Sequence, residues 1–294
     1  MVNSMLGERD EETGHLISSD GGDYQKNRKA DEIKEDNIFC LGCEQRLSYL
    51  EGYFSKEYTN KNDEPQYSVN FPVEESQDIS ITSPTRVNPS AFHLLINSIL
   101  WRAHISDKPL FVNYKIPDQA ADQIRLTLDT VLPPYENFKV KGKYTKWIKE
   151  LETVKDIIEF YPYVILRTEL TERDRTENLI YFSHHENNPY HQIINEFVIL
   201  SFFDKTNIDF EKQDFFELND KYDLLVVLNN DIDELKIGVL DLDNWRNIRD
   251  KLYGILKSQY EMRNIISDCI KIAFSKGFYP TMEYMKHCIE CRKK

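Results

Sequence analysis

From Asn88 onward the chain switches twice between helical and strand-like spacing of its apolar residues. Phe92, Ile96, Ile99 and Ala103 recur at helical intervals, with Leu95 and Leu100 widening the stripe, and Asn88-Pro89 supplies a cap and a first-turn proline. "DQAADQIRLTLDTVL" (118–132) predicts a second helix, stopped by Pro133-Pro134, and "YTKWIKELETVKDIIEF" (144–160) a third. Beyond Tyr161 the pattern shortens. "YPYVILRT", "NLIYFS", "NEFVILSFF", "YDLLVVL" and "LKIGVL" are β-branched and aromatic runs separated by polar turns, and they predict a mostly antiparallel sheet. Helical spacing returns in "NWRNIRDKLYGILKSQYEMRNIISDCIKIAFSK" (244–276), with Asp243 as cap and Gly277 as stop. A last helix, "MEYMKHCIECRKK", begins after Thr281.

Helices, then strands, then helices predict an α+β fold rather than a doubly wound sheet. Residues 1–36 are polar and mixed in charge, and are expected to form a flexible N-terminal segment. Residues 37–160 form a cysteine-knuckle and helical region, and 161–294 a sheet with C-terminal helices, either separate from 37–160 or continuous with it. Within the first region, 59–87 reads as a long irregular connection. No internal repeat is visible.

A chain of 294 residues with 40% apolar content has ample material for a core. No apolar run reaches the ~18–20 residues that cross a bilayer. The first residues lack a basic start and apolar block, so the expected location is the cytoplasm, with no membrane partner. The net charge of −13 disfavours a general nucleic-acid binder, since that affinity rests on Lys and Arg against phosphates. A local basic patch remains possible at "KVKGKYTKWIK" (139–149), where Tyr144 and Trp147 interleave with lysines, or at the terminal "CRKK". Each is equally a solvated helix face or tail. The 17 Tyr and 16 Phe fit either an interaction surface or a large core.

Five cysteines, an odd number, do not form a disulfide framework in a chain of this size. Cys40-x-x-Cys43 and Cys288-x-x-Cys291 each have the spacing of a zinc half-site, and together they would make a tetrahedral thiolate clasp joining the two ends of the chain. His287 is an alternative ligand. The competing reading is that Cys288 and Cys291 are plain thiols on a terminal helix. A thioredoxin-like role for Cys40 and Cys43 would need a strand leading into a helix N-terminus. Cys269 shares an apolar face with Ile265, Ile266 and Ile272 and is expected in the core.

The run "CLGCEQRLSYLEGYFS", with Cys40, Cys43, Glu44, Gln45, Ser48, Glu51, Phe54 and Ser55, resembles the second cysteine knuckle of a group of uncharacterised bacterial proteins related to HNH endonucleases. In that group the knuckle is followed by a helix ending in Ser-Ile/Leu-x-Trp-Arg, and "NSILWRAHIS" (97–106) places Ser98, Trp101 and Arg102 to match. The similarity covers about residues 30–110. It implies a structural zinc and descent from metal-dependent nucleases of bacterial defence or mobile elements. The family's earlier cysteine pair is missing, and His15 is the only histidine ahead of Cys40. Either the nuclease half has decayed, or Cys288 and Cys291 have taken over the structural zinc position. Glu44 and Glu51 fall on one face of a short helix, where Arg102 would pair with either and hold the knuckle against the next helix.

"SHHENNPYH" (183–191) gathers His184, His185, Glu186 and His191, as a metal site or as a polar hairpin turning at Asn187-Asn188-Pro189. Adjacent residues of an extended chain point to opposite faces, which favours the hairpin. The carboxylates of "NDKYDLLVVLNNDIDE", Asp241 and Asp243 suit either magnesium or turn and cap duty. Two functions follow as expectations. One is a zinc-knuckle relative of HNH proteins without catalysis, binding another protein. The other is a metal-dependent nuclease using His15 or the histidines at 184, 185 and 191.

Overall fold

The computed structural model describes residues 41–58, 73–75, 80–82, 84, 87–107, 111, 114–133, 143–169, 180–183, 189–194, 196–204, 208 and 224–292. The expected N-terminal segment, with His15, and the positions of Cys40, His184, His185 and Glu186 lie outside these residues.

The order is α1 (Leu41–Tyr58), β1 (Val73–Glu75), β2 (Ser80–Thr82), α2 (Pro89–Ile105), α3 (Asp118–Val131), α4 (Lys143–Val154), β3 (Tyr163–Arg167), β4 (Ile180–Phe182), β5 (Tyr190–Ile194), β6 (Phe197–Ser201), β7 (Leu228–Asn229), β8 (Ile237–Val239), α5 (Leu242–Ser275) and α6 (Met282–Arg292). This is the α+β arrangement that the patterns predict. The strands join in the order β1-β2-β8-β3-β6-β5-β4, with β7 also against β3. All described pairings are antiparallel except β3 with β8.

Register decides which side chains meet which layer. Tyr163, Ile165, Phe197, Ile199, Ile194 and Phe182 face one side and share a core with Leu47, Leu50, Phe54, Phe92, Ile96, Ile124 and Trp147 of α1–α4. Their neighbours Val164, Leu166, Val198, Leu200 and Ile193 face the other side, against Trp245, Ile248 and Leu252 of α5. Both faces are covered, so these strands read as continuous apolar runs. The first core takes residues from both 37–160 and 161–294.

α2 is the central helix. Its side chains are buried almost all round, including His93, Asn97 and Ser98, as expected for a helix enclosed by other elements. Asn88 caps it through Oδ1 to the Ala91 N–H at 3.0 Å, and Pro89 occupies the first turn. α3 is two-faced, with Ala121, Ile124, Leu128 and Val131 inward.

Four expectations need correction. The connection 59–87 contains β1 and β2, and β2 extends the main sheet through β8; three-residue strands are too short to show alternation. "YDLLVVL" is mostly turn, with only Leu228–Asn229 paired, because Leu224 and Val227 are buried through a turn rather than a strand. Tyr190 and His191, read as the end of the polar hairpin 183–191, begin a full strand that runs to Ile194. The cap of α5 is Asp241, whose Oδ1 accepts from the Asn244 N–H at 2.8 Å, two residues before the expected Asp243.

α5 runs 34 residues, about 50 Å at the helical rise. Its first turns pack on the sheet through Trp245, Ile248 and Leu252. Farther along, Cys269 and Ala273 are buried against α6, which returns antiparallel after a turn at Gly277, where φ is +78°. Thr281 Oγ1 accepts from the Tyr284 N–H at 3.2 Å and starts α6 as expected.

Candidate functional site

The motif that opens the described chain is helical. Cys43 lies exposed in the first turn of α1, the helix that begins at Leu41. Leu47, Leu50 and Phe54 recur at helical spacing and are buried, so docking of this face fixes the helix.

Glu44 and Glu51 project toward α2, where Arg102 meets both. Its Nη1 pairs directly with Glu51 Oε1, and its Nη2 stands 3.5 Å from Glu44 Oε1. Arg102 and Glu51 are half-buried while Glu44 is exposed, so the inner pair is the stronger one. Arg46 ties the same helix to α3, donating to Asp129 Oδ1 at 2.6 Å and to the Leu132 carbonyl at 2.8 Å.

The lysine-rich stretch 139–149 puts its aromatics inward. Trp147 is buried, and both Tyr49 and Tyr53 stand edge-on to it at 5.4 and 5.6 Å. Lys143 lies over the rings of Tyr49 and Tyr144, and burial pushes the Tyr49 hydroxyl up to about 12. Trp147 is therefore not available to stack on bases, Tyr144 is half-buried against Tyr49 and Tyr53, and Lys146 pairs with Glu150 across one helical turn at 3.7 Å.

Of the histidine cluster, the described member is His191, buried in β5 and held by desolvation at about 4. Its strand pairs antiparallel with β4, and the Ser183 N–H donates to the His191 carbonyl at 2.9 Å, so His191 belongs to the sheet itself. The acidic residues near the strand ends do local work. Asp231 Oδ1 accepts from the Asp233 N–H, Asp233 pairs with Lys155 at 2.8 Å, and Asp241 caps α5.

Sequence reasoning did not single out His93. It is fully buried, stacked on Phe160 at 4.2 Å, with Nδ1 2.9 Å from the Tyr163 hydroxyl and Nε2 3.2 Å from the Asp231 carbonyl. Nε2–H donating to the carbonyl and Nδ1 accepting from Tyr163 satisfies the neutral ring, and burial holds its value at about 4. A second buried polar chain links Tyr114, Gln192 and Ser201: Gln192 Nε2 donates to the Tyr114 hydroxyl at 2.7 Å, and Ser201 Oγ donates to Gln192 Oε1 at 3.2 Å. The first network locks α2 to β3, and the second ties the loop before α3 to β5 and β6.

The cysteines at the other end regroup. Cys288 is bonded to Cys269 across the α5–α6 hairpin, with the two Cα atoms 6.0 Å apart. Cys269 is in the core as expected, but as a disulfide partner. Cys291 is exposed, its Sγ 3.7 Å from His287 Nε2. Among the described residues no three His, Cys, Asp or Glu side chains form a metal-binding group. Of the expected set Cys40, Cys43, Cys288 and Cys291, Cys40 lies outside the described residues, Cys43 and Cys291 are exposed, and the sulfur of Cys288 is bonded to Cys269. The Cys-x-x-Cys spacing drew attention to neighbours along the chain. A better signal was symmetry: Cys269 stands nine residues before Phe278 and Cys288 nine after Tyr279, so a tight hairpin brings them level.

The hairpin turn carries Phe274, Phe278 and Tyr279, all exposed, Tyr279 to 83%. Phe274 and Tyr279 meet edge-on at 5.5 Å, and Phe278 meets Tyr284 at 4.9 Å. Among the described residues no helix is long and apolar enough to cross a membrane. No family model, curated protein or solved structure matches the chain.

Proposed function

We propose that this protein is a protein-interaction component, and that it grips its partner with the aromatic end of the α5–α6 hairpin. The observation that carries this reading is the cluster of exposed rings at Phe274, Phe278 and Tyr279. Of the other exposed large apolar side chains among the described residues, Leu126 and Ile157 stand singly and Leu225-Val226 is an adjacent aliphatic pair without an aromatic ring. Aromatic anchors on a rigid support bury much area at little entropic cost.

The chemistry of the partner follows from charge. Residues 261–294 hold seven Lys and Arg against four Asp and Glu, in a chain with 37 against 50. The partner is a protein surface with an apolar pocket and an acidic rim, which the hairpin attracts and the acidic body repels.

A photo-reactive phenylalanine analogue at position 279, compared with one at the exposed control position 126, tests this in the native host. A discrete adduct from 279 alone, lost with Phe274→Asn and containing an acidic protein, is the expected result. Equal smears from both positions would end the proposal. Divalent-cation-dependent cleavage of DNA by the purified chain, abolished by His15→Ala, would instead favour the nuclease expectation.

A further inference from the structure

Three of the five cysteines lie within residues 269–291, and the interhelical bond uses only two of them. The third, Cys291, is exposed and stands one turn along α6 from Cys288. Its Sγ is 3.7 Å from His287 Nε2, so an imidazole is in place to take the thiol proton. Cys288 is partly open to solvent, whereas Cys269 is fully buried. An exposed thiol with an adjacent base, next to an accessible sulfur of a disulfide, is the arrangement that thiol–disulfide exchange requires.

We propose that Cys291, Cys288 and Cys269 form an exchange relay, in which the bond of Cys288 passes from Cys269 to Cys291 and unclasps α6 from α5. The Cys291 thiol gives its proton to His287. The resulting thiolate attacks Sγ of Cys288, an S–S bond forms between Cys288 and Cys291, and the Cys269–Cys288 bond breaks. Cys269 leaves as thiolate and takes up a proton. One disulfide is lost and one gained, so the exchange needs no oxidant or reductant. Cys269 then rests as a neutral thiol beside Ala273, an environment that suits a small apolar group.

Residues three apart on a helix have Cβ atoms about 5–6 Å apart, and a disulfide draws them to about 4 Å. The new bond therefore requires the last turn of α6 to loosen. That turn ends at Arg292, at the open end of the helix, where fraying costs least. After the exchange the helices remain joined by the Tyr284 hydroxyl near the Cys269 carbonyl at 3.5 Å, whereas the Arg292–Asp268 pair at 2.8 Å lies on the turn that loosens. The relay is independent of what the aromatic end binds.

The test is disulfide mapping of the full chain by differential alkylation and peptide mass spectrometry, after equilibration in glutathione buffers of graded poise. The wild-type chain is expected to show both Cys269–Cys288 and Cys288–Cys291 bonds, Cys269→Ala only the second, and Cys291→Ser only the first. His287→Gln should slow interconversion at pH 7 by about tenfold, with a smaller deficit at pH 9, where hydroxide replaces the imidazole. Absence of the Cys288–Cys291 bond at every poise in the wild-type chain overturns the relay. So does a chain with all three residues as thiols around one bound zinc.

Discussion

Arg102 of α2 is held by two carboxylates of α1, Glu51 in direct contact and Glu44 at 3.5 Å. The three residues close the junction between the helix that carries Cys43 and the central helix of the fold. Removing Arg102 takes away the direct ion pair of the half-buried Glu51. Arg102→Met should destabilise the protein by about 1–2 kcal/mol, between the values for exposed and buried pairs. Glu44→Gln should stay within about 0.5 kcal/mol. Denaturant unfolding of the single variants and of Arg102→Met/Glu51→Gln provides the check; a coupling energy near zero would mean that the pair merely fills space.

Gly52 is a helical glycine with a specific reason to be one. A Cβ there would come within 2.6 Å of the Tyr144 hydroxyl, whereas the ring carbon behind it is 3.8 Å away. Gly52→Ala alone should therefore gain nothing, or lose stability. In a Tyr144→Phe background the same change should stabilise by about 1 kcal/mol, the ordinary helix preference of Ala over Gly. Thermal melts of the four proteins decide it, and equal effects in both backgrounds would remove the steric account.

His93 and His191 are both held at about 4 by burial, against an ordinary 6.5. As pH falls below 6.5 the unfolded chain takes up protons that the folded chain refuses. Stability is thus complete above 6.5, declines toward pH 4, and stops declining once both states are protonated. Between pH 7 and 5 the loss should be on the order of 2 kcal/mol per histidine. Urea unfolding at the two values measures it, and His93→Asn should show a shallower pH dependence despite lower stability throughout. A wild-type stability unchanged between pH 7 and 5 would contradict the burial of both rings.

The Cys269–Cys288 bond closes a short hairpin across 19 residues of sequence. Loop-closure entropy assigns such a bond about 3 kcal/mol, and it acts where few other contacts hold α6. Reduction should therefore accelerate amide exchange in α6 and the end of α5 while leaving β3 and β6 protected. Uniform acceleration across the sheet would show that the hairpin is part of the global unfolding unit.

Much of this architecture is legible in the chain itself. The stripe Phe92–Ile96–Ile99 after Asn88-Pro89, the strands around Ile165 and Ile199, and the Thr281 cap are local signals, written in residues one to four apart. So is the meeting of Glu44 and Glu51 on one helical face. The pairing of both with Arg102 was foreseeable once two helices were in view. Local spacing did not point to the bond between Cys269 and Cys288, which lie 19 residues apart on two helices.

Tertiary structure alone decided the rest. The neutral state of His93 depends on Phe160, Tyr163 and Asp231, residues 67 to 138 positions away along the chain. The buried line Tyr114–Gln192–Ser201 joins a loop to two strands, and β2 gains its place in the sheet only by pairing with β8. Sequence fixes the period of an element and its ends, because backbone geometry sets those over a few residues. Which faces meet depends on burial summed over the whole chain, and that placed Trp147 in the core and left Phe274, Phe278 and Tyr279 in the open.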